Sequence, residues 1–145
     1  MLPAKARTGR LLIIDDDAGA IQTFAVMLRL EGHQVRTAMN ALDGLREAEA
    51  FRPDGIILDL RMPLVNGLGF LYRLRDRVAE RVIPVTIITA DATLSDDVQT
   101  EIEELGADVC FKPIWDEDLQ SLTGRLLSRG LSFQPPYPCH RDGPA

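Results

Sequence analysis

Hydrophobic and polar positions along this chain fall into two alternating patterns. Five short apolar runs stand out: 11–14, 34–38, 55–58, 84–88 and 109–111. Most are bounded by Asp, Gly or Pro, and three are rich in Ile and Val, as buried strands are. Between them the apolar residues recur at helical spacing. Ile21, Phe24, Ala25 and Leu28 follow i, i+3, i+4, i+7, with Gly32 as a stop. Ala41, Leu45 and Ala48 precede Pro53. Leu68, Leu71, Leu74 and Val78 follow Asn66-Gly67. Val98, Ile102 and Leu105 run up to Gly106, with Ser95 as the expected N-cap. Leu119, Leu122 and Leu126 form the last stripe. Five strand-then-helix units predict an α/β fold: a doubly wound, five-stranded parallel sheet with right-handed crossovers and helices on both faces. Strands buried on both faces explain the nearly unbroken Leu-Leu-Ile-Ile and Ile-Ile-Leu runs.

Length sharpens this to one domain, since 145 residues leave room for little else. Residues 10–129 are expected to hold it, 1–9 to be an N-terminal extension, and the Pro-rich 130–145 to be a disordered tail. No apolar run approaches the roughly 18 residues of a membrane helix, and no secretory leader is legible. A net charge of −6 argues against binding DNA or RNA directly. The two cysteines, Cys110 and Cys139, make no metal-binding pattern, and the expectation is reduced thiols in the cytoplasm. Cys110 reads as a core residue, and Trp115 as core by default or else as a partner contact. Arg73, Arg75, Arg77 and Arg81 read as a solvated helix face, and His33 as a loop or strand-start residue.

In open parallel sheets the active groups gather at the carboxyl ends of the strands. Here the first strand runs into Asp15-Asp16-Asp17, the third into Asp59, the fourth into Thr89 and the fifth into Lys112. Asp17, next to the helix start, is expected to be its N-cap. Lys112 is notable because the chain has fourteen arginines and two lysines, which suggests a need for a compact point charge. Asp15, Asp16 and Asp59 would repel one another unless a cation neutralised them. Mg²⁺ suits such a set, taking one or two carboxylates together with water and phosphate oxygens. One carboxylate could then attack phosphorus, with a hydroxyl and an ammonium holding the phosphoryl oxygens.

The segments Leu11-Leu-Ile-Ile-Asp-Asp-Asp17, Ile56-Ile-Leu-Asp-Leu-Arg-Met-Pro63 with Asn66-Gly67, Pro84-Val-Thr-Ile-Ile-Thr-Ala90 and Gly106-Ala107 leading to Lys112-Pro113 occur in order. Over residues 10–129 the chain thereby resembles the receiver domain of two-component response regulators, either of the stand-alone type or cut from a longer chain. The resemblance implies a flavodoxin-like strand order of 2-1-3-4-5. It makes Asp59 the phosphoacceptor, fed by a histidine kinase or phosphotransfer protein. Asp15, Asp16, Asp59 and the backbone carbonyl of Arg61 would hold Mg²⁺. Thr89 would bond a phosphoryl oxygen and move toward it, Lys112 would pair with Asp59, and the bond before Pro113 would be cis. The aspartyl phosphate would hydrolyse slowly, with Arg61 and Asp91 flanking it. Val109 stands where the family usually carries an aromatic switch residue, so the phosphoacceptor carries over and that switch does not.

Two other readings compete. A phosphatase of the haloacid-dehalogenase type also uses a strand-end aspartate, and Asp15 and Asp17 have its spacing, but its following residues and cap domain are missing. A receiver fold used only for binding would not need the full acceptor set. The charge also divides unevenly: residues 91–118 carry ten acids and one base, while residues 1–90 are nearly neutral. The resemblance makes the face of the fourth helix, fifth strand and fifth helix the signalling surface. An acidic surface there predicts a basic protein partner and salt-sensitive association. Homodimerisation stays open.

Overall fold

The computed structural model describes residues 8–59, 64–78, 82–90 and 95–129. Five strands, β1 (Arg10–Asp15), β2 (Gln34–Ala38), β3 (Gly55–Asp59), β4 (Val85–Thr89) and β5 (Ala107–Phe111), alternate with five helices. The helices are α1 (Ala18–Leu30), α2 (Ala41–Phe51), α3 (Leu64–Arg77), α4 (Asp96–Glu104) and α5 (Asp116–Arg129). All strand pairings are parallel, in the order β2-β1-β3-β4-β5. Each expected element is present, with strand ends shifted by one or two residues.

Local chemistry explains the boundaries. Asp17 caps α1 by accepting from the N–H groups of Gly19 and Ala20, Asn40 caps α2 through Asp43, and Ser95 caps α4 through Val98. The far end of α1 closes with Gly32 N–H on the Arg29 carbonyl and His33 N–H on that of Leu28. That pairing needs a left-handed residue, and Gly32 supplies it at φ 99°.

Strand alternation sorts the apolar side chains into two cores. Leu12, Ile14, Ile56, Leu58, Val85, Ile87 and Val109 pack with α2, α3 and α4. Leu11, Ile13, Val35, Ile57, Ile88 and Cys110 pack with α1 and α5. Helix α2 lies so close to the sheet that a Cβ on Gly44 would sit 2.4 Å from Ile14 Cδ1. Gly69 on α3 is the opposite case, exposed with nothing within 4 Å of a Cβ. Gly69→Ala should therefore stabilise the fold by about 0.5–1 kcal/mol through helix propensity. A urea midpoint at or below that of the parent chain would contradict this.

Some expectations change. Trp115 is 62% exposed rather than core. Its backbone is tied into the start of α5, donating to Asp118 and accepting from Leu119 N–H, so the indole turns outward. Cys110 is buried as expected, in the core that faces α1 and α5. Arg75 is not a solvated charge, because it bonds the carbonyls of Leu105 and Gly106. His33 is buried just before β2, where its Nδ1 accepts from Gly9 N–H and burial lowers its pKa. Among the described residues no helix is long and apolar enough to cross a membrane. The expectations for 1–7 and 130–145 lie outside the described residues.

Candidate functional site

The carboxyl edge of the sheet collects the predicted groups. Asp15 ends β1 and Asp59 ends β3, and the parallel register sets them directly side by side. Both are nearly inaccessible, at 2% and 4% exposure. Sequence forces this closeness: each Asp closes an apolar run, 11–14 in β1 and 56–58 in β3, that central pairing buries on both faces. Lys112, one residue beyond β5, reaches back so that its Nζ lies 2.9 Å from Asp59 Oδ1. Its backbone N–H donates to the Thr89 carbonyl at 2.8 Å, which carries the β4–β5 ladder past the end of the strand. The next peptide, Lys112–Pro113, is cis, as the resemblance implied. Thr89 itself ends β4 and is half-buried, while Asp16 is exposed beside Asp15.

The two buried acids are treated differently. Asp59 has the ammonium. Asp15 Oδ1 accepts the Asp17 backbone N–H at 2.9 Å, and Oδ2 has no hydrogen-bond partner although it is buried. Burial is the main force raising the Asp15 pKa to about 6, and the Asp59 charge adds to it. The Asp17 N–H bond and the Lys112 charge offset part of that rise. A buried carboxylate oxygen with no partner is costly in a protein interior. It is what a cation-binding edge would show. Among the described residues no three acidic, His or Cys side chains form a closed metal cage. Two adjacent carboxylates, one with an unpartnered oxygen, fit a hard ion such as Mg²⁺, which keeps several waters and uses few protein ligands.

The structure thus brings together Asp15, Asp59 and Lys112, with Asp16 and Thr89 beside them. Arg61, with its carbonyl, and Asp91 lie outside the described residues. Arg75 escaped the sequence reading because its partners are backbone carbonyls on another element, which no spacing rule can reveal.

A parallel, doubly wound sheet with buried acids and a lysine at its carboxyl edge defines the class: a flavodoxin-like α/β module with a charged cluster at the strand ends. The family model of the response regulator receiver domain matches residues 11–123. Protein PilH of Pseudomonas aeruginosa is 31% identical over 119 residues, covering 82% of this chain and 98% of PilH. The transcriptional regulatory protein PrrA of Mycobacterium leprae is 32% identical over 120 residues, covering 83% of this chain and 50% of PrrA. The chain therefore spans about half the length of the transcriptional regulators it matches. The chemotaxis response regulator CheY4 of Vibrio cholerae superposes with a TM-score of 0.71 at 27% identity, covering 83% of this chain and 100% of that one. The chain belongs to the receiver domains of two-component response regulators.

Proposed function

We propose that the chain is a phosphorylation-switched signalling module whose phosphoacceptor is Asp59. The observation that carries this reading is the ion pair between buried Asp59 and solvent-reaching Lys112, beside an Asp15 oxygen that lacks a partner. One Asp59 oxygen attacks the phosphorus of a kinase phosphohistidine. An O–P bond forms, the P–N bond breaks, and the imidazole leaves with its electron pair. Asp15 and Asp16, with Asp59 and the Arg61 carbonyl, would hold Mg²⁺. When bound, that ion neutralises the clustered carboxylates and the phosphoryl oxygens. Lys112 pairs with Asp59 and holds it in place, then turns to the phosphoryl group. Thr89 donates its hydroxyl to a phosphoryl oxygen. The chain acts as an acceptor with slow self-dephosphorylation, not as a turnover enzyme. Its donor, a histidine kinase or phosphotransfer protein, would meet it in the cytoplasm.

The test is incubation with acetyl phosphate and Mg²⁺, read by intact mass and peptide mapping. One phosphate on the peptide containing Asp59 is expected. No uptake, or uptake elsewhere, overturns the reading.

Two finer points belong to the same proposal. Arg61 and Asp91 pair across the mouth of the site and slow attack by water. Arg61→Ala should then shorten the life of the phosphorylated form several-fold, and an unchanged dephosphorylation rate counts against the pair. The acidic face of α4, β5 and α5 docks a basic protein partner once the site is phosphorylated. Reversing Glu103 and Glu104 to Lys should weaken that association and flatten its salt dependence, as measured by titration calorimetry with the partner. Unaltered binding would place the partner elsewhere.

A further inference from the structure

Helix α4 has an unusual electrical problem. It is 9 residues long, with Asp96 and Asp97 in its first turn and no basic residue in its last. The acids at its start suit the helix dipole, but Glu103 and Glu104 lie at the end where negative charge is unfavourable. The compensating cation comes from α3. Arg75 Nε donates to the Leu105 carbonyl at 2.7 Å and Nη2 to that of Gly106 at 3.3 Å, gripping the turn where α4 ends and β5 begins. One turn earlier on α3, Tyr72 donates its hydroxyl to Glu101. Residues three apart share one helix face, so α3 holds α4 by two polar contacts from a single stripe. Gly106 completes the grip. It takes φ 80°, and a Cβ there would lie 3.0 Å from Arg75 Nη2 and 2.8 Å from Val82.

Thr89 ends β4, and the next described element in the chain is α4, which starts at the Ser95 cap. If Thr89 shifts toward a phosphoryl group, the start of α4 is the end free to follow, because Arg75 holds the turn after its last residue. We propose that Arg75, assisted by Tyr72, is the positioning residue about which α4 pivots when the site is occupied. This rests on the proposed role of Thr89 at the phosphoryl group. It gives the chain a way to turn α4 although Val109 replaces the usual aromatic residue. Arg75 touches no reacting group; it acts through the α4–β5 turn.

Hydrogen exchange resolved by residue tests both halves, with beryllofluoride and Mg²⁺ as the phosphoryl mimic. Without the mimic, Arg75→Met should speed exchange at Leu105, Gly106 and Ala107 at least tenfold and leave Leu12 to Ile14 unchanged. With the mimic, the parent chain should change at Val98 and Gln99 and stay protected at Leu105 and Gly106. In Arg75→Met the change should spread along the whole helix. Arg75→Lys, which keeps the charge but lacks the rigid fork of two separate nitrogens, should fall between, and serves if the Met variant unfolds. Equal exchange at 105–107 in parent and variants overturns the pin. Mimic binding, read by ¹⁹F resonance, with an identical α4 response in parent and variants overturns the pivot. Failure of the mimic to bind the parent chain instead overturns the phosphoacceptor reading and leaves the first comparison decisive for the pin.

Discussion

Asp59→Asn should lose phosphate uptake from acetyl phosphate completely while remaining folded. The reasons are separable. An amide cannot supply the anionic oxygen that attacks phosphorus, so the chemical step has no nucleophile. The neighbouring Asp15 has no ammonium of its own and would be a poor substitute. Its Oδ1 is committed to the Asp17 N–H, and its pKa of about 6 marks a carboxylate that ionises reluctantly. Stability should change little. Lys112 loses its partner, but its side chain is 39% exposed and can turn to water, so the lost pair costs no more than about 1 kcal/mol. Removing one of two adjacent buried charges offsets part of that. Intact mass after incubation, together with a urea midpoint, separates the outcomes. Persistent phosphate in the variant would move the acceptor to another residue. A collapse of stability would make the result uninformative about chemistry, and Asp59→Ser would then be the control.

Asp15→Asn should do the reverse: raise stability and remove the response to Mg²⁺. The orphan Oδ2 would become an amide donor beside the Asp59 carboxylate, turning an unsatisfied acceptor into a hydrogen bond. Relief of one unsatisfied buried group is on the order of 1–2 kcal/mol. The sign of the pH dependence follows from the raised pKa. Between its ordinary value of 3.8 and about 6, the folded chain holds a proton on Asp15 that the unfolded chain has released. The contribution of this group to stability is full below 3.8 and is lost as pH rises through 6. The parent chain should therefore lose stability over that window from this group, and Asp15→Asn should not. At pH 8, Mg²⁺ should restore stability to the parent chain and leave the variant unaffected. Urea midpoints across the window, with and without Mg²⁺, decide the matter. A variant less stable than its parent at pH 8 would show that the Asp15 charge is already compensated.

Much of this was readable in the chain before any coordinates. The fold was legible because strands buried on both faces must be apolar throughout, and helices buried on one face must be periodic. The site was legible because the carboxyl edge of a parallel sheet gathers whatever follows each strand. Asp15, Asp59, Thr89 and Lys112 therefore had to be neighbours. What was not legible depended on which way a particular side chain turned. Trp115 sits in a connection with no period, so nothing in the sequence distinguished a core indole from one facing outward. The Arg75 grip joins a side chain to carbonyls about 30 residues away. The unequal fates of Asp15 and Asp59 depend on which of two adjacent carboxylates one ammonium reaches.

The two cores carry a consequence for the site. Ile13 and Ile57 belong to the layer of α1 and α5, and by alternation Asp15 and Asp59 face the same way. Lys112 follows Phe111, which packs on the other side, so the lysine shares the side of the acids. Thr89 has the opposite parity, that of Val85 and Ile87, whose layer contains α4. The charged members of the site thus stand on one storey of the molecule and the hydroxyl on the other. If the proposed function holds, a message written on the acids has to change floors to be read at α4, and Thr89 would be the stair.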